Sequence, residues 1–219
     1  MSKSMFRVPF NVRLLVQLAM LVALEIVFNR FLSIRTSFVK IGFSFVPIVV
    51  CAIAYGPIWA SAVYVIADLT GTLIEGNIPL PGLTVGCLLI GFLYGLLLYD
   101  IDETKPDIEW VGFTFFFVAF FQFKFVEPIL VNLKKWVRLI IVVAINQFGV
   151  SLMFNTYWLW KAGFVGGGNP YFTSVLMRVP QTLVLFAVQI VLVPALIGIV
   201  KVLRKQKLIN PVRIKEVHQ

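Results

Sequence analysis

Apolar runs long enough to cross a bilayer recur along this chain, and they constrain everything else about it. A helix needs about 20 such residues to span about 30 Å of hydrocarbon. In lipid every backbone N–H and C=O must be satisfied internally, which leaves helices or a closed barrel. Barrel strands would alternate apolar and polar residues over about ten positions. The runs here are continuous, so helices are expected. Composition agrees: 60% of the 219 residues are hydrophobic and 13% are charged, against about a quarter charged in soluble domains. Mean hydropathy is +0.95. The expected fold is an all-α membrane protein: one integral domain over residues 1–219, multi-pass in the cell membrane.

Six transmembrane helices are expected, near 12–33, 40–56, 58–76, 83–100, 137–161 and 172–203. The first run is read as a span and not as a cleaved leader, being too long and lacking a small-x-small site. Tyr55-Gly56-Pro57, Pro79-Leu80-Pro81-Gly82 and Gly166-Gly167-Gly168-Asn169-Pro170 mark breaks between spans, because Gly and Pro punctuate regular structure. Lys3, Arg7 and Arg13 precede the first span, and Lys201, Arg204, Lys205, Lys207, Arg213 and Lys215 end the last. With an even number of spans, this bias puts both the N and C termini in the cytoplasm. Residues 101–136 then form a cytoplasmic loop. Within it the Phe-rich stretch 110–126 reads as an interfacial or re-entrant segment. A seventh span there would carry the basic C-terminus outside.

Several function classes lack their residues. The net charge of +9 sits at chain ends and loop edges, where it sets topology and gives no reason to expect nucleic acid. His218 is the sole histidine. Histidine-assisted nucleophiles therefore have no base inside the bundle, and no histidine-based metal site forms. No G-x-x-x-x-G-K-S/T phosphate loop occurs. Cys51 and Cys87 lie in apolar runs, where they read as small buried hydrophobes. No catalytic residue, metal or cofactor is assigned.

Polar stripes remain. Ser61, Tyr64, Asp68, Thr72 and Glu75 recur at helical spacing on the third span. Gln147, Ser151, Asn155 and Trp158 do so on the fifth, and Ser174, Arg178, Gln181, Thr182 and Gln189 on the sixth. Glu25, Phe28, Asn29 and Leu32 mark the first. Each stripe alone is explained by hydrogen bonds between helices. Together they point to a polar cavity opening outward, since polar groups in lipid face an interior or a cavity. Arg30, Arg35 and Lys40 cluster around the first external loop, and Lys161 and Arg178 lie near the outer ends of their spans. Snorkelling to headgroups explains such cations singly. As a set they read as a funnel for a carboxylate-bearing ligand. On the first span, Ala19 and Ala23 point roughly 140° away from Glu25 at 100° per residue. Small residues four apart admit another helix closely.

The residues now resemble a family. Arg30 to Ile34, Lys40-Ile41-Gly42-Phe43-Ser44-Phe45-Val46-Pro47, Gly56-Pro57, Ala67-Asp68-Leu69-Thr70-Gly71, Pro81 to Thr84, Gly91 to Leu96 and Asn155-Thr156-Tyr157-Trp158-Leu159 carry the likeness, with Arg178 opening the last helix. The chain resembles the substrate-binding S component of energy-coupling factor vitamin transporters, most closely the folate-specific members. Residues 101–136 look like an insertion relative to that pattern.

The resemblance implies a six-helix bundle that captures a vitamin from outside. It also implies docking through Ala19 and Ala23 onto a transmembrane scaffold subunit carrying two ATPase subunits. A non-catalytic role follows, with ATP hydrolysed by those partners. Folate chemistry suits the residues. Phe43, Phe45 and Trp158 are candidates to stack on a pterin, and Asp68, Gln147 and Asn155 to read its edge. Arg35, Lys40 and Arg178 are candidates for the glutamate carboxylates. Pantothenate is the alternative vitamin. From another class, a lipid-modifying or scaffold membrane protein explains the apolar surface but not outward polar stripes beside external arginines.

Overall fold

The computed structural model describes residues 11–35, 40–99, 127–164, 168 and 170–206. The expected segment 110–126 lies outside them. Among the described residues the chain is helical apart from one short hairpin. Helix α1 is Val12–Arg30, α2 is Phe45–Tyr55, α3 is Pro57–Ile74 and α4 is Pro81–Leu98. The fifth rod has three parts: α5, Glu127–Ala144, a wide-turned π-helical stretch Ile145–Phe154, and α6, Asn155–Lys161. Helix α7, Tyr171–Lys205, closes the bundle. Five of these rods are long and apolar enough to cross a membrane. Many of their large apolar side chains, such as Val16, Met20, Ile66 and Leu183, face outward. That surface is expected of a protein whose solvent is lipid.

Helix α2 is the short one, and it forms the centre of the core. Ile48, Val49, Cys51, Ala52, Ile53 and Ala54 have no exposed surface at all. A helix apolar on every side belongs inside a bundle, and α1, α3, α4 and α7 surround this one. It starts later than residue 40, where the apolar run begins. Pro47 lacks an N–H and is tolerated only in a first helical turn. The residues before it pair instead: β1, Ile34–Arg35, runs antiparallel to β2, Lys40–Ile41, with Arg35 opposite Lys40.

Glycine and proline set the packing of α3 against α4. Gly56 takes φ 88° between α2 and α3, a conformation glycine adopts without strain. Pro57 then opens α3 and Pro81 opens α4, where a missing N–H costs nothing. A Cβ at Gly91 would meet the Ala60 and Ser61 backbone at 2.8 Å, and one at Gly95 would overlap the Pro57 backbone. Small residues allow this backbone approach between membrane helices. The fifth rod begins at Glu127, ahead of the expected 137. Residues 127–136 are therefore helical, where a loop was expected.

Candidate ligand-binding site

Hydrogen bonds distinguish the two ends of the bundle. At one end Tyr55 Oη donates to Gln17 Oε1 at 2.6 Å, and Arg204 Nη2 donates to the Ile53 carbonyl at 2.6 Å. The start of α1 and the end of α7 meet there. The other end gathers the close of α1, the hairpin, the close of α3, the start of α4, α6 and the start of α7. Asp68, Asn155, Trp158 and Arg178 all lie toward this second end.

The first half of α4 is the platform. Thr84 Oγ1 donates to Asp68 Oδ2 at 3.1 Å. Asn155 Oδ1 and the Trp158 ring lie so close to Gly86 and Gly82 that a Cβ on either glycine would overlap them. The platform thus touches three of the expected site residues, one each through a hydroxyl and two bare glycines. Asn155 Oδ1 is enclosed and has no hydrogen-bond partner. Lys161 Nζ stands 5.4 Å from the Trp158 ring centroid, within cation–π range. Phe154, Tyr157, Trp160 and Tyr171 extend the aromatic cluster around Trp158, with ring centroids 5.9 to 6.5 Å apart.

Arg178 is a partly buried cation at this end of the bundle. Its Nη1 donates to Thr156 Oγ1 at 2.7 Å, and Thr156 is fully buried. Among the described residues no carboxylate pairs with Arg178. A partly enclosed guanidinium facing only a hydroxyl loses hydration without a counter-charge, a cost of several kcal/mol when burial is complete. An anionic ligand would supply that charge. Arg30, by contrast, forms an ion pair with Glu75, their side chains 14% and 28% exposed. Its guanidinium lies over Gly71, where a Cβ would come within 2.8 Å. That pair ties the end of α1 to the end of α3.

The remaining candidates are placed differently. Phe45 lies inside the apolar core, while Phe43 is exposed in the turn before α2, with ring centroids 6.5 Å apart. Arg35 and Lys40 face each other across the hairpin backbone, and their side chains lie outside the described part of the structure. Gln147 is buried deeper in the bundle, its Oε1 without a partner. Ala19 and Ala23 lie on the exposed face of α1, whereas Glu25 is fully enclosed and accepts from Asn29 Nδ2 at 3.0 Å.

Sequence reasoning missed Thr84, Thr156 and Asn146. The two threonines gave a signal only as hydroxyls next to or opposite chosen residues. Asn146 is 2% exposed, and its Oδ1 has no hydrogen-bond partner among the described residues. An unsatisfied buried polar group costs about 1–3 kcal/mol. The Asn146 amide lies within hydrogen-bonding reach of the Tyr94 hydroxyl, which itself donates to Gln189 Oε1 at 2.9 Å. Tyr64 lies within electrostatic reach of Tyr94, Glu25 and Asp68.

Comparison with known proteins agrees with this architecture. The family described as "ECF transporter, substrate-specific component" matches residues 13–197. The chain is 34% identical over 91 residues to the folate transporter FolT of Clostridium novyi, a match covering 41% of this chain and 53% of that protein. It thus spans about half the length of that relative. It is 25% identical over 182 residues to the folate transporter FolT of Leuconostoc mesenteroides, covering 82% of each. A crystal structure of FolT bound with folic acid superposes with a TM-score of 0.63 at 22% identity, covering 86% of this chain and 94% of that one. At that identity the likeness speaks for the fold. The chain is a multi-pass membrane protein and belongs to the family of substrate-specific components of ECF transporters, which are substrate-binding subunits without catalysis of their own.

Proposed function

We propose that this subunit captures folate at the outer end of the bundle for an ATP-driven importer. One observation carries the reading: the Arg178 guanidinium, held by Thr156 and unpaired with any described carboxylate, at the same end of the bundle as Asn155 and Trp158. A carboxylate on Arg178 would complete its charge. A flat ring offered to the Trp158 cluster would gain about 0.5–1.5 kcal/mol beyond area burial. Asp68, Gln147 and Asn155 supply acceptors and donors for a heterocycle edge. Arg35 and Lys40, at the tip of the hairpin, add cations for a second carboxylate. The FolT names of both relatives support folate over pantothenate, which has one carboxylate and no ring to stack.

In this reading both termini face the cytoplasm and the site faces outward, following the basic ends of the chain. The exposed Ala19 and Ala23 face of α1 meets a transmembrane scaffold subunit carrying two ATPase subunits. The test is direct. The purified subunit is examined for a co-purified pterin absorbance, then titrated calorimetrically with folic acid and with pantothenate. Folic acid binding with no pantothenate binding is expected. Binding of pantothenate alone would replace the vitamin. A tightly held phospholipid with no vitamin bound would favour a lipid-modifying or scaffold role.

A further inference from the structure

At the end of the bundle opposite Arg178, two helices bring cations to the last turn of a third. Helices α1 and α7 both pack against α2. From α1, Gln17 Oε1 accepts the Tyr55 hydroxyl at 2.6 Å, and Arg13, four residues earlier, shares the Gln17 face. From α7, Arg204 donates to the Ile53 carbonyl at 2.6 Å, and Lys201, three residues earlier, shares the Arg204 face. Arg13 and Arg204 both lie within electrostatic reach of the Tyr55 hydroxyl. Helix capping accounts for Arg204, since a cation at a helix C-terminus serves the last carbonyls. It does not account for Arg13 or Lys201. The positive-inside bias brings cations to this end, but it does not gather those of two helices around one hydroxyl. The carboxylates whose side chains are described, Glu25, Asp68 and Glu75, all lie in the other half of the bundle. Beside the cations, Val12 and Val16 of α1 and Ile199 and Val202 of α7 face outward. A cationic patch thus borders an apolar, lipid-facing surface.

We propose that Arg13, Lys201 and Arg204 hold the phosphate of an anionic phospholipid against the last turn of α2. The guanidinium fork matches the oxygens of a phosphate, and the lysine adds a point charge. Basic patches between membrane helices on the cytoplasmic side take such headgroups. With both termini in the cytoplasm, this end faces the cytoplasmic leaflet, where anionic lipids concentrate. The outward valines and isoleucine lie where the acyl chains would run. A free phosphate would gain the charge contacts alone, whereas a phospholipid adds apolar contact. A lipid held by both α1 and α7 binds the folded bundle and so stabilises it by mass action.

The whole subunit in detergent is given phosphatidylglycerol, phosphatidylcholine or inorganic phosphate at equal concentration. Melting temperature is followed, and native mass spectrometry counts retained lipid. Phosphatidylglycerol is expected to raise the melting temperature by about 2–4 °C and to stay bound, with no effect of the other two. Arg13→Gln and Lys201→Gln should each weaken phosphatidylglycerol about fivefold, the worth of one cation near a lipid surface. Arg13→Lys should bind within about twofold of wild type, and Arg13→Ala serves if the Gln variant does not fold. Arg138→Gln, which removes an exposed cation from α5 instead, should change nothing. Equal responses to phosphatidylglycerol and phosphatidylcholine would overturn the proposal. An equal loss in Arg138→Gln would do so too, since general surface charge would then be enough. Equal protection by inorganic phosphate would make this a small-anion site. No lipid retention, with Arg13→Gln and Lys201→Gln losing co-purification with the scaffold subunit, would make it a protein contact. None of these readouts needs the vitamin. A subunit that binds no folic acid yet keeps the lipid responses would fell the folate reading and leave this inference standing.

Discussion

Arg178 Nη1 donates to Thr156 Oγ1 at 2.7 Å across the gap between α7 and α6, and Thr156 has no exposed surface. A buried hydroxyl beside a cation fixes where that cation points, because the guanidinium is planar and its donors are rigid. Thr156 thereby sets the aim of Arg178 without needing to touch a ligand. Replacing Thr156 with Val keeps the shape and removes the acceptor. We expect Thr156→Val to weaken folic acid binding about five- to tenfold, near 1–1.4 kcal/mol, with Thr156→Ser close to wild type. Arg178→Ala should cost about 1.5–3 kcal/mol, the usual worth of a hydrogen bond to a charged group. Titration calorimetry in detergent reads both. If Thr156→Val and Arg178→Ala bind normally, Arg178 holds helices together and is not a ligand anchor.

The second prediction uses the bare backbone under Asn155. A Cβ at Gly86 would overlap Asn155 Oδ1, so Gly86→Ala must push that side chain away. Binding should fall at least tenfold, with some loss of stability. Adding Asn155→Ala removes the clash and should recover the melting temperature but not the affinity. A double-mutant cycle measures this coupling, which for residues in contact is about 0.5–3 kcal/mol. Additive effects on melting temperature would mean that the two residues do not press on each other.

The bundle was legible because lipid leaves the backbone few choices, and Gly56-Pro57 and Pro81 mark helix starts that the structure keeps. Asp68, Asn155 and Arg178 stood out as polar residues in apolar helices, and the fold brings them to one end. The missing parts have particular causes. Asn146 was hidden because a 3.6-residue period sends it to the opposite face, and nothing in Ile145–Phe154 announces a wider turn. Thr156 lies one residue from Asn155, off the stripe that drew attention to the latter. Gly82 was legible only as part of a break between spans, and Gly86 not at all. Their role depends on Trp158 and Asn155, roughly seventy positions further along the chain, which sequence spacing does not reveal. Lys40, which pairs with Arg35 in the hairpin, was absorbed into an apolar run whose helix starts later, at Phe45.

The last prediction separates capture from transport. Ala19 and Ala23 are exposed on α1, alongside Val16, Met20 and Val27, while Leu14, Leu18 and Glu25 turn inward. Enlarging the alanines should therefore leave the interior intact. A bulky side chain there would hold a partner helix off, because small residues four apart are what permits close approach. Ala19→Trp and Ala23→Trp should keep folic acid affinity within about threefold, less than ~0.7 kcal/mol. The same variants should lose association with the scaffold and ATPase subunits, measured by co-purification. They should also lose ATP-driven uptake into vesicles. Asn155→Ala should show the reverse pattern, with assembly preserved and affinity reduced. Normal assembly and uptake by the Trp variants would show that the scaffold docks elsewhere. Loss of folic acid binding to the extent seen with Asn155→Ala would show that the two faces of α1 are not independent. Uptake by the purified subunit alone would remove the need for any energy-coupling partner.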